Sequence, residues 1–106
     1  MDRKHQLEKE LKRIVDIIST SYRPERLILF GSLANGNIHE WSDIDLAVVK
    51  DTPKRFIDRV GELLSLIRPT VSLNIFVYTP NEIKDMEKNK NYFWLDEVVN
   101  KGKILI

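Results

Sequence analysis

The chain predicts an α+β fold, a small mixed β-sheet with helices packed on one face and the other face left open for chemistry. Three observations carry that prediction. Apolar residues recur at helical spacing over residues 3–20, two runs around Leu27–Phe30 and Ile44–Val49 have strand character, and a third strand, residues 71–78, follows an amphipathic stretch. The order is then helix, strand, strand, helix, strand, helices. With 106 residues, 42% of them hydrophobic, residues 1–106 are expected to form a single domain around one modest core.

In the first helix, Leu7, Leu11, Ile14, Val15, Ile17 and Ile18 recur on one side, while Glu8, Lys9, Lys12, Arg13 and Asp16 form a solvated face. Ser19-Thr20-Ser21 and Pro24 break the pattern. Leu27–Phe30 reads as a buried strand delivering Gly31-Ser32, followed by a short helical turn and the loop residues Asn35-Gly36-Asn37, which tolerate positive φ. In the return loop His39 reads as a loop residue and Trp41 as loop packing. After Val49, Thr52 and Pro53 have the chemistry of an N-cap and first helical residue, with Phe56, Val60, Leu63, Leu64 and Ile67 as the buried face. Gly61 inside that helix suggests close packing on the sheet. The third strand places Val71, Leu73, Ile75 and Val77 on one face and Ser72, Asn74, Phe76 and Tyr78 on the other. Thr79-Pro80-Asn81-Glu82 is a capping box, and two short helices follow, separated by Asn89-Lys90-Asn91 and closed by Gly102. The tail Lys103–Ile106 is too apolar to dangle and should form a last strand or meet a partner.

Composition excludes several classes. The net charge of +1, with acidic and basic residues interleaved, gives no surface for direct nucleic-acid binding. No apolar run is long enough for a membrane span or a signal core, so the expected location is cytoplasmic. With no cysteine, disulfides, thiolate metal sites and thiol catalysis are absent, and two histidines argue against a zinc site. An oxygen-ligated metal remains.

The chemistry concentrates in Leu29-Phe30-Gly31-Ser32 and, after the ten intervening residues 33–42, in Asp43-Ile44-Asp45. Asp is depleted in strands, yet Asp43 and Asp45 open one, and alternation points both to the same face. Like charges side by side repel, and the usual relief is a divalent cation such as Mg²⁺, held by one or two carboxylates with substrate phosphates. By itself this pattern also fits a strand end where two aspartates face water. Gly31 adds close backbone approach to a ligand, and Ser32 adds a hydroxyl and an N–H.

Together, Arg26–Ser32, Ser42–Val49, Val77-Tyr78-Thr79-Pro80 and Gly102–Leu105 resemble the minimal nucleotidyltransferases of the DNA polymerase β superfamily, antitoxin type. The resemblance implies a polymerase-β-like palm. It implies nucleotide binding at Gly31, Ser32 and Ser42, with Asp43 and Asp45 as metal ligands and catalytic carboxylates for two Mg²⁺ (or Mn²⁺) ions. The implied reaction is transfer of a nucleoside monophosphate, AMP from ATP, to a hydroxyl of a partner protein. The implied partner is a small helical HEPN-type toxin, and a homodimer is a further possibility. Two departures stand out. The family's third carboxylate falls on Asn74, six residues before Pro80, which can ligate a metal through its carbonyl but brings no charge and takes no proton. The family's S-R-A-R-G pattern reads Ser32-Leu33-Ala34-Asn35-Gly36, without its two basic residues. The alternative reading is therefore a catalytically degenerate antitoxin that binds nucleotide and Mg²⁺ without turnover.

Overall fold

The two-residue alternation of the strands sorts their side chains onto two faces, and both faces are apolar. In the computed structural model, which describes residues 2–106, the elements are α1 (Arg3–Ile17), β1 (Arg26–Phe30), α2 (Ser32–Asn35), β2 (Ile44–Val49), α3 (Phe56–Ile67), β3 (Leu73–Tyr78), α4 (Pro80–Lys88), a π-wound helix α5 (Phe93–Asn100) and β4 (Lys103–Ile104). They form a mixed sheet of order β3-β2-β1-β4. Strand β1 runs antiparallel to β2 and β4, and β2 runs parallel to β3. The parallel pair needs a crossover, which α3 supplies.

Leu27, Leu29, Ile44, Leu46, Val48, Ile75 and Val77 face Leu7 and Ile14 of α1 and Leu63 and Ile67 of α3. On the opposite face Ile28, Phe30, Ala47 and Val49, with Phe76 and Tyr78, meet Ile83 of α4 and Trp94 and Val98 of α5. The α+β class and the mixed sheet are as expected, but the helices are not confined to one face. The second face carries too much aromatic and aliphatic surface to stay wet, and the two C-terminal helices bury it. What stays accessible on that side is the polar end of the strands around Asp43, Asp45 and Asn74.

Several local expectations are corrected by hydrogen bonds. The first helix does not break at Ser19-Thr20-Ser21 but continues through a π-helical turn, Ile18–Tyr22. The Ser19 and Thr20 hydroxyls donate to the Asp16 carbonyl at 3.2 and 2.8 Å, which widens the helix instead of ending it. Helix α3 starts at Phe56 rather than Pro53, because Thr52 Oγ1 accepts from the Lys54 N–H at 3.2 Å and makes a separate short turn. Phe56 and Leu64 are partly exposed, and a Cβ on Gly61 would meet nothing within 4 Å, so close packing does not account for that glycine. Arg59 is buried in their stead. It donates to the carbonyls of Lys54 and Val77 at 2.7 and 3.2 Å and to Glu82 Oε1 at 2.7 Å, tying α3 to the capping box that opens α4. The tail behaves as expected, with β4 on β1. Gly102 lets it pass, since a Cβ there would lie 2.1 Å from the Val98 carbonyl oxygen and 2.7 Å from Ile28. Among the described residues no helix is long and apolar enough to cross a membrane.

Arg13, read from sequence as solvated, is half of a clamp. Its guanidinium donates to both oxygens of the buried Glu10 carboxylate at 2.7 and 2.8 Å and to the Ile67 carbonyl at 3.0 Å, while the Thr70 N–H donates to Glu10 at 2.6 Å. These bonds fasten α1 to the end of α3. They hold the Glu10 carboxyl at about 2, well below its usual 4.5, with Arg13 as the main cause and the Thr70 N–H assisting against the opposing effect of burial. A depressed carboxylate contributes stability that is full above pH 4.5 and lost as pH falls towards 2. In urea titrations Glu10→Gln should be about 2 kcal/mol less stable than the parent at pH 7. The gap should shrink between pH 5 and 2.5, and an identical acid dependence of the two proteins would show that the clamp carries no such linkage.

Candidate active site

Strand register assembles the site. Phe30 pairs with Asp45, and Asp45 pairs with Asn74, so three strands contribute one row across the sheet. Gly31 follows Phe30 directly, with φ 75° and ψ −159°, a conformation that disfavours side chains. A Cβ on Gly31 would lie 2.2 Å from Asp45 Oδ2. The backbone thus turns against the carboxylate and enters α2 at Ser32. The Gly31 carbonyl accepts from the Ala34 and Asn35 N–H groups, each at 3.1 Å, and buried Leu33 and Ala34 pin the turn to the core. No side chain caps the first turn of α2.

Asp43 stands just before β2 and Asp45 is its second residue, both half-buried. As expected, they converge. The amide nitrogen of Asn74 lies between them, donating to Asp45 Oδ1 at 2.9 Å and reaching Asp43 Oδ2 at 3.4 Å. Burial pushes the Asp45 carboxyl up, the charge of Asp43 adds to that, and the Asn74 hydrogen bond opposes it. Two carboxylates gathered around one donor are a donor set that fits a hard divalent cation, with substrate oxygens completing its shell. Among the described residues no cluster of three or more acidic or histidine side chains could hold a metal, so the set has two charged members and the neutral Asn74.

Ser42 departs from its expected place on a nucleotide. It is buried, its hydroxyl accepts from the His39 N–H at 2.9 Å, and its carbonyl accepts from Arg3 Nε and Nη2 at 3.1 and 2.7 Å. Its part is to fix the loop that leads into Asp43. Arg3 was not singled out in the sequence, because a contact across 39 positions leaves no local signal. His39 is a loop residue as read, accepting through Nδ1 from the Trp41 N–H at 3.2 Å. Trp41 does not pack the loop, being 78% exposed.

The family model described as Polymerase beta, Nucleotidyltransferase matches residues 12–106, which include the Gly31-Ser32 turn and both aspartates. The chain belongs to the polymerase β nucleotidyltransferase family. Within this family it is similar to the protein named Putative protein adenylyltransferase MJ0604 from Methanocaldococcus jannaschii, 32% identical over 102 residues that cover 92% of this chain and 96% of the relative. The crystal structure of a putative nucleotidyltransferase from Sulfolobus solfataricus shares the fold, with a TM-score of 0.65 at 23% identity over 95% of this chain and 80% of that one. The polymerase-β-like fold expected from the motifs is therefore established, as is nucleotidyl transfer as the activity of the family to which this chain belongs.

In this nucleotidyltransferase the amide of Asn74 does locally what a cation would do, by placing positive hydrogen between two negative groups. Asn74→Asp would replace that donor with a third charge. Without divalent ions the variant should melt roughly 4 to 8 °C below the parent, the shift that about 1 kcal/mol produces in a domain of this size. Millimolar Mg²⁺ should raise its Tm more than it raises the parent's. Equal melting points with and without Mg²⁺ would mean that Asn74 does not hold the pair together.

Proposed function

We propose that the protein transfers AMP from ATP to a hydroxyl group on another protein. The observation that carries this reading is the convergence of Asp43 and Asp45 beside a Gly31-Ser32 turn that has no side chain to block approach. The name of the M. jannaschii relative supports both the adenylyl group and the protein acceptor. Gly31 and Ser32 would lie along the triphosphate, with backbone N–H groups at the start of α2 facing phosphate oxygens. Asp43 and Asp45 would hold Mg²⁺ or Mn²⁺, with the Asn74 amide turned to present its oxygen. When bound, such an ion offsets the negative charge of the triphosphate and of the leaving pyrophosphate. In the transfer a bond forms between the acceptor oxygen and the α-phosphorus, and the bond to pyrophosphate breaks. The acceptor proton cannot go to Asn74, so it passes to water or to a base on the acceptor protein.

In this reading the acceptor is another protein, in line with the name of the M. jannaschii relative. A small helical protein of the HEPN toxin type is the partner this reading favours, with the chain as its antitoxin. A second reading has its own observation in favour. With Asn74 where a third charge would sit, nucleotide and metal binding could persist without turnover, leaving an antitoxin that acts by binding.

Incorporation of labelled AMP from [α-³²P]ATP into the protein encoded beside this one tests the pair of readings. Transfer by the parent, abolished in Asp43→Asn, supports the enzyme. With no transfer by the parent but a gain of about 10²- to 10⁴-fold in Asn74→Asp, the range for a restored general base, the binding-only reading is right. Absence of label in both, with the partner bound, would contradict adenylyl transfer to that protein.

A further inference from the structure

We propose that Phe93, at the start of α5, is the aromatic ring against which the nucleotide base stacks, an inference that rests on the nucleotide site proposed above. On the face that carries the carboxylates, the row Phe30–Asp45–Asn74 is followed by the row Ile28–Ala47–Phe76. Phe30 is the register partner of Asp45, and Phe76 lies two residues beyond Asn74 on β3. Their rings are stacked with centroids 6.3 Å apart, flanking the small, buried Ala47. Phe93 meets both of them nearly perpendicularly, at 5.6 Å and 86° to Phe30 and at 5.9 Å and 84° to Phe76. It therefore rests on one ring of the acidic row, Phe30, and on one ring of the next row, Phe76, a two-residue strand repeat further along β3.

Phe93 is held by two ring contacts and is still partly exposed. Phe30 is 7% exposed and Trp94 is fully buried, whereas Phe93 is 38% exposed, an unusual cost for a phenylalanine with two ring partners beneath it. A ring already fixed by two edge contacts loses little freedom when a base lies on it. None of the three other exposed aromatics offers this. Phe56 is 42% exposed, but its ring partner is Tyr78, four residues beyond Asn74 on β3 and so farther along the sheet from the acidic row than Phe76. Tyr92 is 71% exposed but has no ring partner among the described residues. Trp41 is 78% exposed and makes no ring contact among the described residues. Stacking reads a π-face rather than hydrogen-bonding groups, so Phe93 would favour a nucleoside triphosphate over a bare polyphosphate without choosing strongly among bases.

Calorimetry with Mg²⁺-ATP and Mg²⁺-tripolyphosphate on the full chain separates the base from the phosphates. Phe93→Leu keeps apolar packing but removes the ring. It should weaken ATP binding about tenfold, leave tripolyphosphate binding unchanged, and be rescued by Phe93→Tyr, while Trp41→Leu changes neither ligand. In the unmodified protein, NOEs from the adenine H2 or H8 protons to the Phe93 ring give the same answer independently of how the variants fold. Equal affinity of the parent for the two ligands, equal losses for both in Phe93→Leu, or NOEs to Trp41 instead would overturn the assignment while leaving the phosphate and metal site standing. Failure of the parent to bind either ligand would overturn the nucleotide site, and the assignment of Phe93 with it.

Discussion

The close approach of the Gly31 backbone to the Asp45 carboxylate is the constraint around which the chain is arranged. It brings the end of β1 and the start of β2 into one place and turns the chain into α2 with no side chain in the way. For that contact to exist, β1 and β2 must pair in a register that sets Phe30 against Asp45, and β3 must then set Asn74 beside it. A slip by one residue would send both aspartates into the core beneath α1 and α3. The apolar alternation of Ile44, Leu46 and Val48 forbids that slip, because those side chains are fully buried on the far face. Core packing thus specifies the polar geometry.

The two faces share the sheet unequally. Beneath α1 and α3 the packing is aliphatic and closed by polar clamps at the periphery, Glu10 with Arg13 at one end and Arg59 with Glu82 at another. On the opposite face the packing is aromatic, with Phe30, Phe76, Tyr78, Trp94 and Phe93 in a chain of ring contacts that runs up to the edge of the carboxylates. Helix α5 is what converts an open sheet face into a wall beside the site. Gly102 and β4 then carry the chain back against β1, so the C-terminal strand braces the strand that delivers Gly31.

What could be read from the sequence followed from short-range regularities. The strand faces, the capping box at Thr79 and Glu82, the turn at Gly31-Ser32 and the shared side of Asp43 and Asp45 all depend on spacings of two to four residues or on a single glycine. What could not be read depended on partners distant in sequence. Arg3 bonding Ser42, Glu10 receiving Thr70 and Arg59 reaching Val77 and Glu82 look like surface charges until the fold brings their acceptors close. Trp94, the largest fully buried side chain, was also not legible as core, because π-helical winding rotates α5 away from the spacing of an α-helix. Ser42 was attached to the site by its place in the motif, whereas its hydroxyl and carbonyl are both committed to the loop.

The central claim is that Asp43 and Asp45, with Gly31 against them, form one cation and phosphate site. Mn²⁺ titration followed by electron paramagnetic resonance, in the presence and absence of ATP, measures it most directly. The predicted result is protein-bound Mn²⁺ that is strengthened by ATP in the parent, lost in Asp45→Asn, and weakened in Gly31→Ala, whose added Cβ must displace the Asp45 carboxylate. Undiminished ATP-dependent Mn²⁺ binding by folded Asp45→Asn would contradict it.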